Sequence, residues 1–239
     1  KLKYEYILYL KPYTTVCWFF DAINKGFDSN DDYIDSLGNN INLLCLNDGD
    51  FVNMCNIKNI KTLKQGCDIH PYHTENLYIN NNYPYQQDIL FIGTIGQKGY
   101  SSREKYLELL KLDFKNLISH NKYNVFKDNL TYIVRSTKIM LAMPPVTDHY
   151  WSNRVYLLCG RGGFLLHPFS HDLDKEFNGM LPMYDSYDEL KNKIEYYLNN
   201  EQERETIRKH IQKTVLEKHC YYHRCQKLIE LYNEYIQNN

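Results

Sequence analysis

The residues best suited to chemistry are cations set beside glycines. Asp88-Ile89-Leu90-Phe91-Ile92-Gly93 reads as a buried strand, and Gly93, Gly96 and Gly99 punctuate the loop that follows. Ser101-Ser102-Arg103-Glu104 then reads as a capping box, Ser101 capping and Glu104 reaching back. Strand, glycine loop and capped helix together suit a phosphate. Glycines let the backbone approach closely, and the free N–H groups at a helix start favour an anion. Gly93, Thr94 and Gly96 are the backbone candidates. Arg103, in the first turn, opposes the helix dipole but suits a diphosphate. The spacing is neither the dinucleotide fingerprint nor a P-loop, so a plain tight turn is the competing reading.

Carboxylates and imidazoles supply the acid–base candidates. The apolar run Thr15 to Phe20 ends at Asp21. A carboxylate at a strand end is placed to act as a general base or to bind an acceptor hydroxyl, or to cap a turn or helix. His149 and His167 flank the glycine-rich corner Gly160-Arg161-Gly162-Gly163. His149 is the second catalytic candidate. His167, at a strand end, either meets a ligand or sits in solvent or core. His219 and His223 are four residues apart, a zinc-chelating spacing on one helix. No second ligand pair accompanies them, so no metal is expected.

Elements of alternating type must position these groups. Thr15–Phe20 and Asn42–Leu46 read as buried strands, and Lys61–Gly66 as a short third. After the polar stretch Asn80 to Tyr85 come strands at 88–93, at 138–143, stopped by Pro144-Pro145, and at 164–167. Helices are expected from Ser101, over 153–159, after the second capping box Ser186-Tyr187-Asp188-Glu189, from about Glu201, and over 221–236. Strands alternating with helices imply a parallel α/β sheet, whose ligands bind at the carboxyl ends of the strands.

Composition narrows the function classes. A net charge of −1 over 239 residues offers no global positive field for nucleic acid or anionic lipid. No apolar run approaches the roughly 18 residues of a membrane helix. The seven cysteines are odd in number and form no CxxC pair, which points to reduced thiols and a cytoplasmic protein. The 23 tyrosines suit amphipathic packing better than a stacking platform for nucleic acid.

The segment Arg154-Val155-Tyr156-Leu157-Leu158-Cys159-Gly160-Arg161-Gly162-Gly163-Phe164-Leu165-Leu166 resembles the R-x-x-E-x-x-x-x-G-G-F-x-[LI] pattern of group-1 glycosyltransferases, in their spore-maturation-protein-like branch. Phe91-Ile92-Gly93 followed by Arg103 is similar to that family's F-x-G loop and arginine. Thr137-Lys138-Ile139-Met140-Leu141, Asp185 to Leu190 and His219 to Arg224 follow in family order. Trp18 to Asp21 and Gln65 to Asp68 resemble earlier landmarks more loosely.

The resemblance implies an α/β, GT-B-like fold. Residues 1–85 would hold an incomplete Rossmann-like acceptor-side region and linker. Residues 86–239 would form a Rossmann-like nucleotide-sugar domain whose last helix crosses back. It implies hexose transfer from a nucleoside diphosphate sugar, UDP-sugar favoured, to an acceptor hydroxyl on a glycan, protein or modified nucleic acid. Backbone N–H groups, Arg103, Lys138 and Arg154 would hold the diphosphate beside Gly162 and Gly163, with no cofactor required. Retention of configuration is the family's implied outcome. Leu157 stands where the family has the ribose-binding Glu, so either Glu176 or Asp148 substitutes, or sugar-nucleotide binding is weakened, or the chain is not catalytic. The rival readings are a non-catalytic binding or assembly module and a DNA-modifying glycosyltransferase of a virus or phage.

Overall fold

The structure is a computed structural model that describes residues 13–20, 34, 37–69, 86–93, 101–120, 127–144 and 146–238. The chain divides into two compact units, residues 1–65 with 222–239, and residues 66–221. The division falls between Gln65 and Gly66, ahead of the polar stretch 80–85, which lies outside the described residues.

The first unit is a parallel sheet in the order β1 (Val16–Phe19), β2 (Leu43–Leu46), β3 (Ile60–Thr62). All four residues of β2 are buried, as a central strand covered on both faces requires. Leu44 and Leu46 join Ile34, Leu37 and Phe51 on one face, while Leu43 and Cys45 join Leu63 and Leu231 on the other. Helix α1 (Gly49–Met54) starts where the Asp48 side chain accepts from the Phe51 N–H at 3.1 Å. The long last helix, α8 (Tyr221–Gln237), belongs to this unit from Tyr222 onward and brings Leu228, Leu231 and Tyr235 to its core.

The second unit carries a five-stranded parallel sheet in the order β5-β4-β6-β7-β8. In chain order its elements are β4 (Gln87–Ile92), α2 (Ser101–Asp113), β5 (Leu117–His120), α3 (Lys127–Arg135), β6 (Thr137–Leu141), α4 (Arg154–Gly160), β7 (Leu165–Pro168), α5 (His171–Glu176), β8 (Met183–Tyr184), α6 (Tyr187–Asn199) and α7 (Glu201–Lys218). Ile89, Phe91, Ile139, Leu141 and Leu166 turn to one face and meet Leu107 and Leu110 of α2 and Leu190 and Ile194 of α6. Leu90, Met140 and Leu165, buried and one residue out of step, serve the other face. Helix α2 is described from Ser101 onward, and the residues before it lie outside the described residues. Ser186 caps α6 as expected, accepting from the Glu189 N–H at 3.2 Å, while the Glu189 carboxylate accepts from the Asp185 N–H at 2.8 Å.

Helix α4 ends in a Schellman motif. Gly162 N–H donates to Cys159 O and Gly163 N–H to Leu158 O, both at 2.9 Å, around a left-handed Gly162 with φ of 84°. That corner turns the chain into β7 and so lies at the amino end of the strand.

Candidate functional site

The sheet order contains one reversal of direction. The connection leaving β4 runs through α2 to β5 on one side, and the connection leaving β6 runs through α4 to β7 on the other. Between β4 and β6 the two connections diverge, and the carboxyl ends of these strands border the crevice where α/β sheets bind ligands. Arg103, in the first turn of α2, and Arg154, the first residue of α4, both come to this point. Each guanidinium carbon stands 5.6 Å from the centroid of the Phe91 ring near the end of β4. Arg103 is 5% exposed and its Nε–H donates to Pro144 O at 3.2 Å, which ties α2 to the chain leaving β6. Gly93 follows β4 directly, and a Cβ there would stand 2.8 Å from an Arg154 guanidinium nitrogen and 2.7 Å from the Phe91 ring. The absence of a side chain at 93 is what lets Arg154 lie across the strand end.

Two histidines border this edge in different states. His167, at the end of β7, is 1% exposed, and its Nδ1–H donates to Pro168 O at 2.6 Å. Burial pushes its pKa down to about 4. The Pro168 carbonyl opposes that shift, and the positive charge of Arg154 adds to it. His167 is therefore neutral at pH 7. His149 lies on the β6–α4 connection, 40% exposed, with Nδ1 2.5 Å from Oδ2 of Asp172 in the first turn of α5. The hydrogen bond from His149 holds the Asp172 carboxyl below the usual range. Asp148 fastens the same loop to α5, its carboxylate accepting from the His171 N–H at 3.0 Å.

A family model described as "Glycosyl transferase-like" matches residues 92–230, which include Gly93, Arg103 and Arg154. The chain belongs to the glycosyl transferase-like family. No curated protein matches the sequence significantly. Among solved structures, the chain is similar to a glycosyltransferase from Rickettsia africae ESF-5, with 12% identity and a TM-score of 0.58, covering 92% of this chain and 70% of that one. It is also similar to TarM, with 11% identity and a TM-score of 0.61, covering 95% of this chain and 57% of that one. A third similar structure is the sucrose-phosphate synthase of Thermosynechococcus elongatus, with 8% identity and a TM-score of 0.56, covering 90% of this chain and 65% of that one. The fold is Rossmann-like and of the GT-B kind. The chain spans between 57 and 70% of the length of these neighbours.

Within this glycosyl transferase-like chain, Gly93, Arg103 and Arg154 are brought together. Others of the predicted site residues are not. Lys138 stands near the amino end of β6 and pairs with Asp88 at 2.6 Å, away from the carboxyl edge. Gly162 and Gly163 form the helix terminator at the amino end of β7. A Cβ on Gly163 would stand 2.8 Å from Val134 and 3.1 Å from Leu158 O, so helix–strand packing alone explains a glycine there. Glu176 ends α5 and accepts from the Tyr156 hydroxyl at 2.9 Å, with His219 Nδ1 at 2.8 Å. Trp151 Nε1–H donates to the same hydroxyl at 3.1 Å, so Glu176 takes part in a hydrogen-bond network with Tyr156, Trp151 and His219. His219 follows α7 and precedes α8, so it shares no helix with His223. The zinc-chelating geometry that i, i+4 spacing suggests is therefore not formed. Asp21, Thr94 and Gly96 lie outside the described residues.

The sequence reading missed Phe91 as the ring beneath both guanidiniums, the Pro144 carbonyl and Asp172. The glycine after an apolar strand end signalled the first. Nothing in the spacing of 149 and 172 signalled the last.

Proposed function

We propose that the chain transfers a hexose from a nucleoside diphosphate sugar, most readily a UDP-sugar, to an acceptor hydroxyl on a glycan, protein or modified nucleic acid. The observation that carries this reading is the meeting of two guanidiniums over one ring at the reversal point of the sheet. Two like charges held there without a Cβ at Gly93 make a site for a doubly charged anion. As the bond from the sugar to the diphosphate breaks, negative charge grows on the departing oxygen. Arg154, half-buried, and Arg103, buried, offset that charge in a site already arranged for it. This chemistry needs no metal cofactor. Family membership supports glycosyl transfer, and the order of landmarks keeps the spore-maturation-protein-like branch as our reading. A cytoplasmic setting fits the chain's seven free cysteines. Among the described residues, no helix is long and apolar enough to cross a membrane.

Calorimetric titration with UDP tests the reading. Arg154→Ala removes one charge-assisted hydrogen bond, about 1.5–3 kcal/mol, and should weaken UDP binding about 10- to 100-fold while thermal melting stays near that of the wild type. Equal affinity in both proteins would move the donor site elsewhere. A wild type that binds neither UDP nor GDP would make the chain a non-catalytic member of the family.

A further inference from the structure

We propose that His167 is a specificity-determining residue, whose Nε2 accepts a hydrogen bond from a sugar hydroxyl of the bound nucleotide sugar. This rests on the donor reading of the neighbouring crevice. His167 is the third residue of β7, the strand beside β6, and stands at its carboxyl end. Side chains alternate along a strand. Leu166 turns to the face of α2 and α6. His167 therefore turns to the opposite face, where a right-handed crossover from β6 to β7 places α4. Helix α4 opens with Arg154, and the charge of that guanidinium is near enough to act on the imidazole. Cation and imidazole thus meet at the same strand ends.

One hydrogen bond fixes the state of the ring. A carbonyl can only accept, so the 2.6 Å bond to Pro168 O keeps a proton on Nδ1. The ring is neutral at pH 7 because burial disfavours its charged form. Nε2 must then carry the lone pair. Among the described residues, no hydrogen bond engages that nitrogen. The Pro168 bond accounts for Nδ1 alone, and a buried position that needed only packing would suit leucine, as at 165 and 166. A lone pair cannot hold a diphosphate, whose oxygens are acceptors as well. It can take the O–H of the hexose or of the ribose, the two sugars that flank a diphosphate. Arg154 and His167 divide the ligand between them, the cation taking the phosphates and the lone pair a hydroxyl. A site built to accept from a hydroxyl rejects the analogue that lacks it.

The experiment is calorimetric titration of the whole chain at pH 7 with UDP, its 2′- and 3′-deoxy forms, UDP-glucose, UDP-galactose and UDP-N-acetylglucosamine. Melting temperature is followed in parallel. Two variants separate the nitrogens of the ring. His167→Asn keeps an N–H for Pro168 O and removes the acceptor at Nε2, whereas His167→Gln returns an amide oxygen to the region of Nε2. If the hydroxyl belongs to the hexose, His167→Asn should weaken UDP-sugar binding about 3- to 10-fold, leave UDP within about twofold, and be largely rescued in His167→Gln. If it belongs to the ribose, His167→Asn should weaken UDP and UDP-sugars alike and erase the wild type's preference for UDP over one deoxy form. Either pattern supports the proposal and identifies the sugar. Unchanged affinities in His167→Asn overturn it. So do losses shared equally by His167→Gln, losses that merely track a fall in melting temperature, and weakened UDP binding with the preference over both deoxy forms intact. These outcomes leave the donor reading standing. Failure of the wild type to bind UDP at all overturns both.

Discussion

At the scale of single residues, Leu157 and His167 show how position on an element decides what a side chain can do. Leu157 occupies the family's Glu position, three residues after Arg154 on α4, so the two share a face. Both are half-buried, whereas Val155, Tyr156, Leu158 and Cys159 between and after them are buried. Leu157 is therefore not sealed in the core. Leu157→Glu places a carboxylate one turn from Arg154 without stranding it in the interior. The variant should fold with a stability change of about 1 kcal/mol or less. If the added carboxylate meets the ribose, UDP binding should tighten about tenfold or more by calorimetry. A loss of several kcal/mol would instead mean that the side chain at 157 is sealed from solvent.

His167 yields a prediction in pH. Its pKa is about 4 in the folded chain against an ordinary value of 6.5. Below 6.5 the unfolded chain takes up the proton and the native one does not, so stability is full above 6.5 and is lost as pH falls toward 4. The gap is worth about 3 kcal/mol. The loss of stability between pH 7 and pH 4.5, measured by denaturant unfolding, should be smaller in His167→Gln by about 2 kcal/mol. Equal losses would show that the imidazole protonates freely in the native state.

At the scale of elements, the glycine corner separates a pattern from its cause. Gly162 and Gly163 look like ligand-binding glycines in sequence, but the fold uses them to stop α4. Gly162 has a φ of 84°, and a Cβ on it would stand 3.0 Å from Arg208 and Gln212 side-chain nitrogens. Gly162→Ala should cost about 1–2 kcal/mol in the left-handed conformation and lower the melting temperature, while UDP affinity stays unchanged. Weakened UDP binding at full stability would return the corner to the donor site.

The same distinction explains what was legible beforehand. Strands β1, β2, β4, β6 and β7 are apolar runs ended by Asp, Gly or Pro, so composition alone marks them. Helices α6, α7 and α8 carry apolar residues at helical spacing, and α6 has its capping box. Among the described residues, the elements that went unread are α1 and α5, with six residues each, β5, with four, β8, with two, and α3, whose nine residues carry Leu130, Ile133 and Val134 at helical spacing. Sheet order was also invisible, because pairing between strands remote in sequence leaves no local period. The placement of the candidate residues shows the same limit. Arg103 and Arg154 were readable from the helix starts they occupy, but Lys138 was not separable from them until β6 had a direction and a neighbour.

At the scale of the whole molecule, the chain passes between its units twice, near Gln65 and near Tyr221. Within the second unit the two passages lie side by side: Cys67 N–H donates to His219 O at 2.7 Å, and Tyr221 N–H donates to Cys67 O at 2.9 Å. Gly66 fits because a Cβ there would stand 2.9 Å from the backbone of Cys220 and Tyr221. The arrangement buries Cys67 and Cys220 completely. Thiol reactivity across the molecule should report this organisation. All seven cysteines are free, but only Cys225 is exposed, with Cys17 and Cys55 half-buried and Cys45, Cys67, Cys159 and Cys220 buried. A thiol reacts as its thiolate. Burial pushes the Cys45 thiol up to about 12 and raises those of Cys17 and Cys159, while the Cys67 thiol is raised first by its hydrogen bond with Cys220 and then by burial. At pH 8 a thiol reagent should therefore label Cys225 at once in the native chain, reach the half-buried pair slowly, and count seven thiols only in denaturant without reductant. The same shifts contribute a loss of stability at alkaline pH. Above about pH 9 the unfolded thiols lose their protons and the buried ones keep theirs, so the unfolded state gains and the native state weakens. A native chain in which Cys67 or Cys220 reacts as fast as Cys225 would show that the paired passages are open in solution.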